Sequence, residues 1–154
     1  MLRCRSCFLP PNDAAFPVIK QVVEHIGLSL TMRAATAVKA GQVVEIDATG
    51  VSNTVNAALA ESGARPIGVA AFDASENEDV TVYSVGSVVY VVNADDTTGI
   101  DAGDLLVAND NAVGGTVSAA TTGINAVIGI ALDDIAGGGI GRMLVQPMSH
   151  DGGA

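Results

Sequence analysis

The feature that most constrains the fold of this chain is an internal repeat of two short phrases in the same order. The phrase AGQVV at 40–44 returns as AGDLL at 102–106, an offset of 62 residues. The phrase IGVA at 67–70 returns as IGIA at 128–131, an offset of 61 residues, and a carboxylate (Asp73 or Asp134) follows each copy at the third position. Such a duplication predicts two related β units, each with an apolar face that closes on the other.

The composition favours strands in both units. Hydrophobic residues make up 49% of the 154 residues and aromatic residues only 3%, so the apolar content is mainly Val, Ala, Ile and Leu. Glycine-containing turn signals divide the chain into short segments, which indicates a small barrel or sandwich. The predicted strands cover 29–35, 42–47, 67–72, 80–84, 87–92, 104–108, 127–132 and 142–146. A short helix is the interpretation offered for 53–62.

The repeated glycines have two different expected roles. In each Ala-Gly pair the glycine predicts a tight turn, because glycine adopts positive φ without steric cost. The glycine of each Ile-Gly-Val/Ile-Ala phrase lies inside a predicted strand instead. There it predicts a bulge or a close approach of two backbones.

Residues 1–28 differ from the rest and are predicted to form an N-terminal arm. Apolar residues at 18, 19, 22, 23 and 26 have the spacing of a short amphipathic helix. The β-branched content leaves an extended arm that packs on a neighbouring molecule as the alternative. The chain is therefore divided into an arm at 1–28, a β body at 29–148 and a flexible C-terminal tail at 149–154.

The net charge of −10 is unevenly distributed. Residues 1–39 carry five Lys and Arg against two carboxylates, whereas 40–154 carry two Arg against fifteen carboxylates. So acidic a body repels nucleic acid, and the basic segment could dock on an acidic partner, including another copy, or remain a solvated tail. The residues expected to contact the partner are Arg3, Arg5, Phe8, Phe16, Lys20, Arg33 and Lys39.

Metal and phosphate sites are weakly supported. Cys4 and Cys7 have half of a zinc-knuckle spacing, but only His25 and His150 could complete a set of four ligands. The favoured interpretation is two reduced, partly buried thiols. The glycine run at 137–141 leads into a predicted strand, whereas a phosphate loop leads into a helix, so a hairpin turn is predicted.

Acidic pairs at 95–96 and 133–134, with Asp104 and Asp110, lack the spacing of an EF-hand loop and are interpreted as turn carboxylates. No His, Cys or Lys occurs between residues 40 and 149, which removes the usual bases and nucleophile partners from the body. Phe72, Tyr83 and Tyr90 fit core or interface packing better than a sugar platform. We therefore expect neither an enzyme nor a cofactor.

The order of these phrases resembles that of a known family. The series runs from LTMRAA at 30–35 and VKAGQVV at 38–44 through PIGVA at 66–70 and GSVVYV at 86–91. It ends with AGDLLV at 102–107, IGIA at 128–131 and MLV at 143–145. This order is similar to that of phage head decoration proteins, also called capsid cement proteins, of the β-tulip type, over about residues 29–148.

The resemblance implies a mainly β, non-enzymatic virion protein made in the host cytoplasm. Such a protein would join the outer surface of an assembled icosahedral capsid, commonly as a homotrimer near three-fold positions, and would bridge major capsid protein subunits. No nucleic-acid or membrane partner is expected, because the body is acidic and no apolar stretch reaches the ~18–20 residues of a membrane span. Two alternatives remain at this point: a ligand- or cell-surface-binding β module of a virion, like a spike or adhesin domain, and a carboxylate-based hydrolase.

Overall fold

The computed structural model describes residues 18–47, 53–57, 65–109, 115–120 and 125–150. Over these residues the regular structure is entirely β, and there is no helix of the length and apolarity that a bilayer crossing requires. The strands are β1 (Val23–His25), β2 (Ser29–Ala34), β3 (Val43–Ile46), β4 (Thr54–Ala57), β5 (Pro66–Ala70), β6 (Asp79–Tyr83), β7 (Val88–Val92), β8 (Leu105–Asn109), β9 (Thr116–Ala119), β10 (Asn125–Ala131) and β11 (Ile140–His150).

The first unit, β2–β6, is a closed five-stranded barrel in the order β2-β4-β3-β5-β6. The second unit, β7–β11, has the order β7-β11-β10-β8-β9, and β1 adds to its β7 edge. Within each unit the corresponding strands pair in the same way. The parallel β2–β4 pair corresponds to a single parallel bridge between Asn93 and Val117 in the second unit. The prediction of a mainly β body that contains a small barrel and consists of two related units is therefore confirmed.

The repeated Ala-Gly pairs make the same turn in both units. Gly41 has a φ of 83° and its N–H donates to the Ala70 carbonyl at 2.8 Å. Gly103 has a φ of 96° and its N–H donates to the Ala131 carbonyl, also at 2.8 Å. The predicted turn is confirmed at both positions, because positive φ is the conformation for which glycine is favoured.

The strand glycines allow the close approach of backbones that was predicted. A Cβ on Gly68 would overlap the Tyr83 carbonyl oxygen, and a Cβ on Gly129 would overlap the Leu144 carbonyl oxygen. A register shift next to Gly129 also marks a bulge in β10. In each unit, two neighbouring strands can therefore approach this closely only because the residue at this position is a glycine.

Two hydrophobic cores hold the molecule together. The smaller core fills the barrel and includes Val44, Val55 and Val82. The larger core fills the second unit, and it also contains Val43 and Val69 from the outer face of the barrel. The outside of the first unit is thus part of the core of the second, which is the closure that the repeat predicts.

The described part of the N-terminal segment is extended. The predicted helix over 18–26 is wrong, because Val23–His25 form a strand that pairs with β7. Ile19 and Val22 are buried in the larger core, and the Tyr90 N–H donates to the Val22 carbonyl at 2.8 Å. The described core therefore begins at Ile19, inside the predicted arm 1–28, and this part of the segment packs on its own body.

Four further predictions can be compared with the structure. All eight predicted strands overlap an observed one, and the glycine run 137–139 forms the predicted turn, here leading into β11. The helix predicted at 53–62 is wrong over Thr54–Ala57, which form β4, and the rest of it lies outside the described residues. Strand β11 continues to His150, two residues into the predicted tail 149–154.

Candidate docking surface

The repeated carboxylates support the backbone of turns. Asp73 Oδ1 accepts a hydrogen bond from the Ala40 N–H at 2.9 Å, and Asp134 Oδ1 accepts one from the Ala102 N–H at 2.9 Å. Asp104 accepts from the Asp101 N–H at 3.1 Å. These side chains satisfy turn amides, in agreement with the interpretation of the acidic residues as turn carboxylates. Asp110 lies outside the described residues.

Asp95 is held in its ionised form by a turn. Its Oδ1 accepts hydrogen bonds from the Thr97 N–H and hydroxyl, both at 2.8 Å, and from the Thr98 N–H at 3.1 Å. These bonds, led by that from the Thr97 backbone, lower the pKa of Asp95 from its ordinary value of 3.8 to about 2.

This pKa makes the stability contributed by Asp95 dependent on pH. Because the folded pKa lies below the unfolded one, the contribution is complete above pH 3.8 and is lost as the pH falls towards 2. We expect Asp95→Asn to melt below the wild type at neutral pH and the difference in Tm to shrink over that window. Thermal melts followed by circular dichroism measure it. Asp96→Asn is the control for net charge, and a Tm difference that stays constant down to pH 2 would contradict the prediction.

Arg142 ties β1 to the turn that follows β10. It makes a bidentate pair with Asp133, with Nη2–Oδ1 at 2.7 Å and Nε–Oδ2 at 2.8 Å. Its Nη1 lies 3.2 Å from Glu24 Oε2. The hydrogen bonds that Arg142 donates lower the pKa of Asp133. The same bonds, first those accepted by Asp133 and then those accepted by Glu24, raise the pKa of Arg142. The cluster therefore links the edge strand β1 to β11 and to the turn after β10.

The described residues include no group of three or more His, Cys, Asp or Glu side chains that could hold a metal ion. Cys4 and Cys7 lie outside the described residues. Tyr83 and Tyr90 are half-buried and pack against the larger core, whereas Phe72 is 47% exposed. The two tyrosines have the packing role that was expected of them.

Three of the seven predicted contact residues lie within the described part of the chain. Arg3, Arg5, Phe8 and Phe16 lie outside the described residues, and Lys20 is exposed ahead of β1. Arg33 and Lys39 belong to the barrel and not to the arm. Arg33 Nε lies 3.7 Å from Asp79 Oδ1, and Lys39 Nζ lies 3.6 Å from Asp73 Oδ2.

An apolar row that was not predicted crosses the outer face of the second unit. Leu105 on β8 is directly opposite Ile130 on β10, which is directly opposite Leu144 on β11. Val88 on β7 continues the row beyond Leu144. All four side chains are half-buried, although the outer face of an antiparallel sheet commonly carries polar residues. We call Leu105, Ile130 and Leu144 the outer row of the second unit.

A second apolar surface lies at one end of the barrel. Ile46 and Leu30 belong to the inward-facing sides of β3 and β2, yet they are 45% and 36% exposed. Ile67, on the inward side of β5, is only half-buried against the barrel core. We call Leu30, Ile46 and Ile67 the open end of the first unit. The outer row and the open end are the two parts of the candidate docking surface. Both are candidates because apolar groups gain free energy when a partner covers them.

Comparison with known proteins identifies relatives of this arrangement. A family model described as phage cement protein matches residues 22–147, which span both units. Among solved structures, the N base of the head fiber gp8.5 of bacteriophage phi29 is similar, with a TM-score of 0.55 and 20% identity over 80% of this chain and 98% of that chain. At this identity the likeness concerns the fold alone. No match was found among curated proteins.

Proposed function

The chain belongs to the family of phage cement proteins, and from this premise we propose that it binds the outer surface of an assembled phage capsid and bridges neighbouring major capsid protein subunits. The observation that carries the proposal is the family match over 22–147, which includes both repeated units. The architecture supports it: the described residues form two β units with hydrophobic cores, and turn carboxylates accept hydrogen bonds from the backbone. Membership of a structural phage family also supports a role without catalysis.

Bridging would stabilise a shell through interface area. A specific interface of standard size buries roughly 800 Å² on each partner. When one copy contacts two capsid subunits, separating those subunits requires breaking at least one such interface. Contacts made by several copies in a homotrimer then combine through effective concentration, so that individually weak contacts hold firmly.

The basic N-terminal residues are proposed to contribute to docking. Arg3, Arg5 and Lys20, with the apolar Phe8 and Phe16, would meet an acidic part of the shell or of a neighbouring copy. Arg33 and Lys39 face their own carboxylates in the barrel. Exposed pairs of this kind contribute about 0–1 kcal/mol, so exchange for a carboxylate of the shell would cost little.

The proposal is tested by sedimenting purified protein with undecorated shells assembled from the major capsid protein of the same phage. We expect the protein to pellet with the shells at a saturable number of copies, and added salt to weaken binding, because exposed charge pairs are screened. Arg3→Ser, Arg5→Ser and Lys20→Ser, made singly, should each bind more weakly than the matched single control Arg65→Ser, because Arg65 lies outside the set of expected contact residues. Protein that remains in the supernatant at saturating concentration would refute the proposal.

The fold shared with a head-fiber N base favours a second candidate, in which the chain is a ligand- or cell-surface-binding module of the virion. This candidate predicts binding to host cells by the free protein, with few copies on each particle. Counting copies per particle by quantitative mass spectrometry separates the two. A cement protein should be present in numbers comparable with those of the capsid subunits.

A further inference from the structure

The duplication allows the same surface to be compared in two settings. The outer row of the second unit, Leu105, Ile130 and Leu144, corresponds position by position to Val43, Val69 and Tyr83 of the first unit, because each set occupies the same strand pairings. In the first unit, Val43 and Val69 are fully buried and Tyr83 packs against the same core. Their cover is the second unit: β5 lies against β10 and β11. The equivalent row of the second unit is only half-buried.

At the open end the difference in exposure is reversed, with the first unit exposed and the second unit buried. Leu30, Ile46 and Ile67 correspond by register to Val89, Ala108 and Ile128 of the second unit. In the second unit these three positions are 0%, 5% and 0% exposed, in one continuous core with Val43 and Val69. In the first unit Ile46 is 45% exposed and Leu30 is 36% exposed.

The described residues therefore contain one complete interface between the two units and, at each extremity, one unused half of that interface, which no other described unit covers. We infer that copies of this chain associate head to tail, with the outer row of one copy packed on the open end of the first unit of the next. The partner is a second copy because the interface would continue one that the chain already forms. Both surfaces consist of aliphatic side chains, which gain free energy when they are buried against each other.

A head-to-tail interface is heterologous, so it yields a closed ring when the rotation between copies closes and a filament when it does not. A ring of three copies would supply the homotrimer of the proposed function and would leave each copy with no unused half. The inference deepens that part of the proposed function. It is tested on free protein without capsids, so its failure and a failure to bind shells are distinguishable.

The test measures molar mass by light scattering on size-exclusion chromatography at increasing concentration. Wild-type protein is expected to reach three times the 15.4 kDa of one chain. Ile130→Glu removes the outer row and Ile46→Glu removes the open end. Each variant alone should weaken association about a hundredfold or more, because it would bury a carboxylate in an apolar contact. Phe72→Glu, at a similarly exposed position away from both surfaces, should remain trimeric.

Mixing the two variants is the decisive step. Ile130→Glu retains an open end and Ile46→Glu retains an outer row, so one good interface remains and the mixture should form a 1:1 dimer. Circular dichroism verifies folding, and Ile130→Thr replaces Ile130→Glu if the latter is unfolded. A wild type that stays monomeric at about 0.5 mM, a trimer that both variants leave intact, or a mixture in which no dimer forms would each overturn the inference.

Discussion

Gly68→Ala and Gly129→Ala are each expected to lower the free energy of unfolding by about 3 kcal/mol, at the upper end of the usual cost of overpacking. An added Cβ would overlap the carbonyl oxygen of Tyr83 in the first case and that of Leu144 in the second. A backbone oxygen cannot move aside as a flexible side chain can, so the strands would have to separate. Urea unfolding followed by far-ultraviolet circular dichroism, at one fixed protein concentration, measures the effect.

Two other glycines serve as controls for this experiment. Gly99→Ala places its Cβ 3.5 Å from the Ile135 carbonyl oxygen, an ordinary contact, and should change stability by no more than about 0.5 kcal/mol. Gly103→Ala meets nothing within 4 Å but has a φ of 96°, so it should cost about 1 kcal/mol through backbone strain alone. If Gly68→Ala and Gly129→Ala were no more destabilising than Gly103→Ala, the close approach of the strands would not be a constraint on the fold.

Truncation at two positions is expected to give opposite results. Removing residues 1–28 deletes Ile19, Val22 and the edge strand β1, and burial of two aliphatic side chains alone is worth roughly 4 kcal/mol. That is a large share of the ~5–15 kcal/mol by which a domain is stable. Removing residues 1–17 keeps every contact that the described residues make with one another. Thermal melts of the two truncated proteins measure the difference.

The shorter truncation should melt within a few degrees of the full chain, and the longer one should aggregate or melt far lower. The double variant Ile19→Ala/Val22→Ala is the matched test of the core contribution, because it keeps the chain length and the strand β1. If the protein that lacks residues 1–28 were as stable as the full chain, the packing of the N-terminal segment on its own body would be refuted.

Much of the fold could be predicted because the repeated phrases contain residues whose structural role depends on the backbone next to them. A glycine with positive φ, such as Gly41 or Gly103, and a glycine under a carbonyl, such as Gly68 or Gly129, are dictated by the backbone itself. The strands β4 and β9 were not predicted, because each has only four residues and too few apolar residues to show an alternating pattern. A signal for them did exist: TVNA at 54–57 returns as TVSA at 116–119, at the offset of the other repeats.

The candidate docking surface could not be predicted, because the sequence does not show which face of one unit packs against the other unit. Val43 and Leu105 are both aliphatic, and both follow an Ala-Gly pair at the same spacing. One is fully buried and the other half-buried because, among the described residues, the second unit covers this face of the first and no unit covers the same face of the second. The segment at 18–26 was misjudged for a related reason. Its apolar residues satisfy the spacing of a helix, but the edge of β7 offers them a strand partner.

The central claim, that this protein fastens neighbouring capsid subunits from outside the shell, is tested most directly by a cryo-EM reconstruction of decorated particles. We expect density for two β units on the outer surface. Each copy should contact at least two major capsid protein subunits, and the outer row of one copy should contact the open end of the next. Density confined to one subunit, or absent from the shell and present only at a projecting appendage, would contradict it.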